Sequence, residues 1–209
     1  MEKLLNEDLL KQIKEMLEVM KEEVTLHYFY LKGDENSTLT KQLLEEIAPL
    51  NDLIKLKTYD FNKDQEDVNK YKIKTAPALF INNNNLGHGV FYGVPAGHEI
   101  NTLLVSIVDV SNPQAIFEEE VLKQINNVKK ETNIKVFVTT ACPYCPGAAI
   151  TALRLAKLNK LVTAEVYEIH SNQKIAEQYN VSGVPKIVIN ETKELVGNQP
   201  VEAFLSEMK

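Results

Sequence analysis

The alternation of apolar and polar positions divides the chain into short elements of changing period. Leu5, Leu9, Ile13, Met16, Leu17 and Met20 recur at helical spacing, which predicts an amphipathic helix over 4–22. VTLHYFYL at 24–31 is rich in β-branched and aromatic residues and predicts a strand. TLTKQLLEEIAPL at 38–50 predicts a helix stopped near Pro49. IKLKTYDF at 54–61 alternates as a strand does, and a short polar helix follows at 63–71. PALFIN at 77–82 and GHGVFYG at 87–93, joined by an Asn-rich turn, predict a hairpin. AGHEINTLLVSIVDV at 96–110 closes the series as a helix.

The order then recurs. A helix is predicted over 113–131, with Pro113 in its first turn, followed by a strand at 133–140 and a helix at 142–160. A strand at 162–170, a helix at 171–180 opened by a Ser or Asn cap, a hairpin from PKIVIN and KELVG, and a helix in VEAFLSEM complete it. Tyr71, Ile73, Pro77 and Ile81 lie 108 positions before Tyr179, Val181, Pro185 and Ile189, and Phe29 lies 108 before Phe137. A single offset of this kind marks two copies of one folding unit. The expected organisation is an α/β fold in two tandem units, 1–112 and 113–209.

Composition narrows the function classes. The chain has 209 residues, 44% of them hydrophobic, and a net charge of −6. That excludes wholesale disorder and argues against a nucleic-acid partner, which selects a basic face. The longest nearly apolar run, Leu103 to Val108, is too short to cross a bilayer. The charged N-terminal segment has no hydrophobic signal core, so a cytoplasmic location and no membrane partner are expected.

The only cysteines are Cys142 and Cys145. Two thiols cannot complete a structural zinc site, and the four histidines show no ligand spacing, so a reversible dithiol is the chemistry that remains. The bland reading is a pair of small buried hydrophobes. Cys142 is placed where a strand ends and a helix begins, and unsatisfied N–H groups there favour a thiolate. The CxxC spacing sets the second sulfur beside the first and deeper, within reach of a disulfide. Pro143 is expected at the first helical position, Tyr144 as a partly apolar rim, and Pro146 as a residue that stiffens the helix start. Val184-Pro185 opens a core strand where proline supplies no ladder donor. A cis bond there would expose the Val184 backbone to an extended substrate. Glu168, mid-strand among apolar residues, is a candidate proton shuttle for Cys145.

The segments CPYCPGAAITALRLA and SGVPKIVI resemble the active-site half of a thioredoxin or glutaredoxin with its proline loop. With FYGVPAGHEINTLLVSIV closing the first unit, the whole chain is similar to the tandem protein disulfide oxidoreductases, or glutaredoxin-like proteins, and to the N-terminal part of the flavoprotein component of alkyl hydroperoxide reductase. The resemblance implies two thioredoxin-like folds, each a mixed sheet flanked by helices, and a cytoplasmic dithiol–disulfide oxidoreductase. By position Cys142 would attack, Cys145 would resolve, and Pro185 would be the cis-proline; Pro143, Tyr144, Val184 and Pro185 would meet the substrate. No metal or bound cofactor is implied. The implied partners are disulfide-containing proteins, a thioredoxin-reductase-like flavoenzyme as donor, and a peroxiredoxin where the chain serves as a dedicated electron carrier. The remaining alternative is a non-catalytic peptide-binding or partner-binding module. Two departures stand out. The offset sets Asp34-Glu35-Asn36-Ser37 where the second unit has its cysteines, so the first unit is expected to be redox-silent, and Val136 stands where thioredoxins have an acid.

Overall fold

A computed structural model describes residues 3–82, 88–112 and 116–208. The Asn-rich turn of the first hairpin and Pro113 lie outside the described residues. The strands are β1 (Val24–Tyr30), β2 (Ile54–Asp60), β3 (Ala78–Asn82), β4 (His88–Tyr92), β5 (Thr132–Val138), β6 (Val162–Glu168), β7 (Lys186–Ile189) and β8 (Lys193–Val196). The helices are α1 (Glu7–Leu17), α2 (Glu35–Ile47), α3 (Gln65–Lys70), α4 (Ile100–Ser111), α5 (Glu119–Asn126), α6 (Cys145–Leu158), α7 (Gln173–Gln178) and α8 (Val201–Glu207). β1, β2 and α3 recur as β5, β6 and α7 at an offset of 108.

The strands form one sheet in the order β2-β1-β3-β4-β6-β5-β7-β8. Each unit supplies four, with its first two strands parallel and its hairpin antiparallel. The units are welded by β4 and β6, which pair in parallel from His88 opposite Thr163 to Tyr92 opposite Tyr167. That junction hides what would otherwise be two open sheet edges.

Side-chain alternation sorts the core. Leu26, Tyr28 and Leu79 point to a cluster with α1, α2 and α4, and Ile134, Val136, Val138 and Val166 to one with α5, α6 and α8. The intervening residues Phe29, Phe80, Tyr92, Phe137 and Tyr167 meet on the opposite face, against α3 and α7. Ala148, Ala149, Ala152 and Ala156 line the buried side of α6, and these short side chains let the helix lie close to the sheet.

Helix ends depart from the expected ones for local reasons. α1 ends at Leu17 and α5 at Asn126, short of 22 and 131. In each case an asparagine amide from a neighbouring turn takes the terminal carbonyls: Asn51 donates to Leu17 O at 2.8 Å, and Asn159 to Ile125 O at 2.8 Å. α5 also starts at Glu119 rather than 113. α2 begins at Glu35, three residues early, because the Asp34 carboxylate accepts the Ser37 N–H at 2.7 Å. Among the described residues no helix is long and apolar enough to cross a membrane.

Candidate active site

β5 delivers the chain to a turn over 139–144, and α6 starts at Cys145 rather than at Cys142. Cys142 therefore lies in the turn, its N–H donating to Thr139 O at 3.2 Å, while Cys145 is the first helical residue. This shifts the roles expected of the prolines. Pro143 is an exposed turn residue, not the first helical one. Pro146 falls in the first turn of α6, where a missing N–H forfeits no intrahelical bond.

Cys142 and Cys145 are joined in a disulfide with Cα atoms 5.4 Å apart. Cys145 is fully buried, whereas Cys142 keeps 9% of its surface exposed, so attack from solvent can reach only the first sulfur. The Cys142 Sγ lies 3.8 Å from the Val184 carbonyl oxygen. The Val184–Pro185 bond is cis, and so is Ala76–Pro77 at the matching position of the first unit. Gly183 leaves open space beside the loop. Between the cysteines Tyr144, 70% exposed, gives the rim apolar surface. Gly147 sits under the Asn198 carboxamide, where a side chain would collide with it.

The first unit reaches this site through a segment whose role the sequence does not reveal. A 3-10 turn at Gly97–Glu99 packs on the cysteine turn: the His98 N–H donates to Thr140 O at 2.8 Å. Gly97 has φ +58°, and a Cβ there would strike the Thr140 carbonyl. Gly97→Ala is therefore expected to cost on the order of 2 kcal/mol, read as a lowered melting temperature, and to change the rate at which an aromatic disulfide reacts with the reduced cysteines.

Behind this turn Glu99 is fully buried. Thr102 Oγ1 donates to its Oε2 at 2.7 Å, and Oε1 has no hydrogen-bond partner among the described residues. Burial, with the nearby Glu168 carboxylate adding to it, pushes the Glu99 carboxyl up to about 7 despite the Thr102 bond. The signal available in the sequence is weak. GHE at the head of an apolar helix looks like an ordinary acidic first turn, and nothing local says that a second unit covers it.

Glu168 is also buried, but its carboxylate is committed to the turn after β6. It accepts from His170 N at 3.0 Å, His170 Nδ1 at 2.9 Å, Ser171 N at 2.8 Å and Ser171 Oγ at 2.7 Å. Its counterpart Asp60, 108 positions earlier, likewise caps a turn, accepting from Asn62 N at 3.0 Å. The shared duty points to turn formation. In the first unit, Asp34 and Ser37 occupy the cysteine positions as a helix cap and a buried hydroxyl that accepts Leu31 N–H at 3.0 Å.

Comparison with known proteins agrees with this geometry. Residues 132–209 match the thioredoxin domain model. The alkyl hydroperoxide reductase component AhpF of Staphylococcus aureus is 26% identical over 98% of this chain, and its counterpart in Staphylococcus epidermidis is 24% identical over the same share. The chain spans 38% of the length of these relatives. Among solved structures, a protein disulfide oxidoreductase from Aeropyrum pernix superposes with TM-score 0.90 at 27% identity, covering 97% of this chain and 91% of that one. The N-terminal domain of AhpF from Enterococcus faecalis gives TM-score 0.90 at 24% identity, covering 98% and 100%. Residues 132–209 are therefore similar to a thioredoxin domain, and the whole chain has the fold of two tandem thioredoxin-like units.

Proposed function

We propose that this chain is a dithiol–disulfide oxidoreductase acting on protein disulfides. The observation that carries the reading is the Cys142–Cys145 disulfide, with one sulfur at the surface beside the Val184 carbonyl and the other buried at the head of α6. In the reduced form the Cys142 thiolate attacks a substrate disulfide; a mixed disulfide forms and one substrate thiolate leaves. Cys145 then gives up its proton, attacks Cys142 Sγ and releases the second thiolate, so two electrons pass to the substrate. Val184 and Pro185 hold an extended substrate backbone, with Pro143 and Tyr144 on its other side.

Glu99 is the better acceptor for the Cys145 proton. It is buried at the end of the 3-10 turn that packs on Thr140, carries a free oxygen and is poised near neutral pH, whereas Glu168 has four donors to satisfy it. The second unit, 113–209, thus supplies the sulfurs. The first, 1–112, has no thiol and contributes Glu99, which the second unit helps to bury.

A second, narrower reading is favoured by the hydroperoxide reductase relatives: electron carriage from a flavoenzyme to a peroxiredoxin in the cytoplasm. Equilibrating the cysteine pair against glutathione buffers, with insulin reduction on the same preparation, tests the first reading. A pair that never reopens, or that reopens and reduces no disulfide, overturns it. Coupling to a peroxiredoxin, with peroxide consumption as readout, tests the second.

A further inference from the structure

Of the polar residues on α4, Asn101 is exposed and Ser111 bonds to the chain at Lys21 and Glu22, while the others share one line. Glu99 just before it, then Thr102, Ser106 and Asp109, are spaced by three and four residues, which keeps them in one row. The α4 members of the row border a cavity of about 50 Å³ at the seam of the two units, and Glu99 connects to it through its bond from Thr102. Thr102, Ser106 and Asp109 line it from α4, Leu153 and Arg154 from α6, and Phe91 from β4. Thr102 and Ser106 are buried among Leu79, Leu103 and Val110, where apolar residues would suit the surroundings better. Each hydroxyl donates nonetheless, one to a side chain and one to the backbone. Thr102 donates to Glu99 Oε2 at 2.7 Å, and Ser106 donates to the Thr102 carbonyl at 2.6 Å, leaving oxygen lone pairs bordering the cavity. At the far end Asp109 accepts from Arg154 Nε at 2.6 Å, and these side chains are 14% and 29% exposed, so the row ends at solvent.

We propose that this row is a hydrated proton relay joining Glu99 to the surface at the Asp109–Arg154 pair, about 15 Å along α4. The inference rests on the reading of Glu99 as acceptor of the Cys145 proton. A space of this size suits water, which needs a few polar partners and only about 10–15 Å³ of room for its centre. When Cys145 attacks Cys142, its S–H bond breaks and the proton passes to Glu99. Glu99 returns it through Thr102 to cavity water and regains its charge, and the electrons stay with the substrate thiolates. The charged groups facing the row are Glu168 from β6 at the Glu99 end, and Arg154 and Lys157 from α6 at the Asp109 end. The bond from Lys157 to the Asp109 carbonyl fixes that end of the helix.

The test uses the full chain, reduced and mixed with glutathione disulfide in H2O and D2O across pH 5–9 (a range of roughly two units either side of the Glu99 midpoint). Mass spectrometry separates the Cys142 step from the Cys145 step. Infrared spectroscopy follows deuteration of the Glu99 carboxyl after mixing into D2O. Ser106→Val, which fills the cavity, is expected to slow the Cys145 step about three- to tenfold at pH 7 and to slow deuteration, with the Cys142 step unchanged. Ser106→Ala, which keeps room for water, is expected to have the smaller effect. Leu153→Phe closes the cavity from α6 and serves where Ser106→Val folds poorly. If the filled variants match the parent in both readouts while Glu99→Gln is slowed, the relay is wrong and the reading of Glu99 stands. If Glu99→Gln itself is not slowed, the reading fails and the relay with it.

Discussion

Cys145→Ser is expected to stop turnover with the substrate still attached to Cys142. The exposed thiolate can complete the first exchange, but a serine hydroxyl is not a nucleophile toward a disulfide at neutral pH, so the mixed disulfide is not resolved. Incubating the reduced variant with glutathione disulfide and measuring its intact mass should show one added glutathione, removable with dithiothreitol. Cys142→Ser should add none, because the remaining thiol is fully buried. Both variants should lose activity by more than about a thousandfold. The serine at 145 enters an apolar cluster and should cost on the order of 1–2 kcal/mol, so the far larger activity loss cannot be laid to unfolding. Equal trapping at both positions would overturn the division of labour between the two sulfurs.

Glu99→Gln is expected to move stability and reactivity in opposite directions. The Glu99 carboxyl is raised from 4.5 to about 7 in the folded chain. Below about pH 4.5 it is protonated whether the chain is folded or not, and burial carries no charge penalty. Between 4.5 and 7 the unfolded chain releases the proton and the folded one holds it, so stability falls as pH rises, and above 7 the full cost remains. That cost is on the order of 3 kcal/mol. Glutamine keeps an acceptor for Thr102 and does not titrate. The variant should therefore match the parent near pH 4 and exceed it near pH 8, by about 5–10 °C in melting temperature. Its resolving step should slow by about a hundredfold. Thermal unfolding at the two pH values checks the first effect, and stopped-flow oxidation of the dithiol checks the second. An unchanged stability difference between pH 4 and pH 8 would show that Glu99 is not a buried titrating acid.

Much of the active-site neighbourhood can be read along the chain because its signals are short-ranged. The CxxC spacing, the strand before it and the Val184-Pro185 loop lie within one unit, and the 108-residue offset places β1, β2 and α3 against β5, β6 and α7 in register. Differences gather at helix ends. Whether α1 and α5 continue depends on Asn51 and Asn159, which arrive from elsewhere in the chain to take the last carbonyls. Glu168 reads as a shuttle candidate for a similar reason: its apolar neighbours declare burial, but its four donors appear only when the 170–171 turn closes on it.

Periodicity and residue chemistry are local properties, and they sufficed for the two-unit α/β plan, the sulfur pair and the lack of thiols in the first unit. Long-range pairing is what welds the units into one sheet through β4 and β6, and so brings the Gly97–Glu99 turn onto Thr140. Hydrophobic pattern tells which face of an element is buried but not which partner buries it. A glutamate at the head of a helix becomes a buried acid only when another unit removes its water.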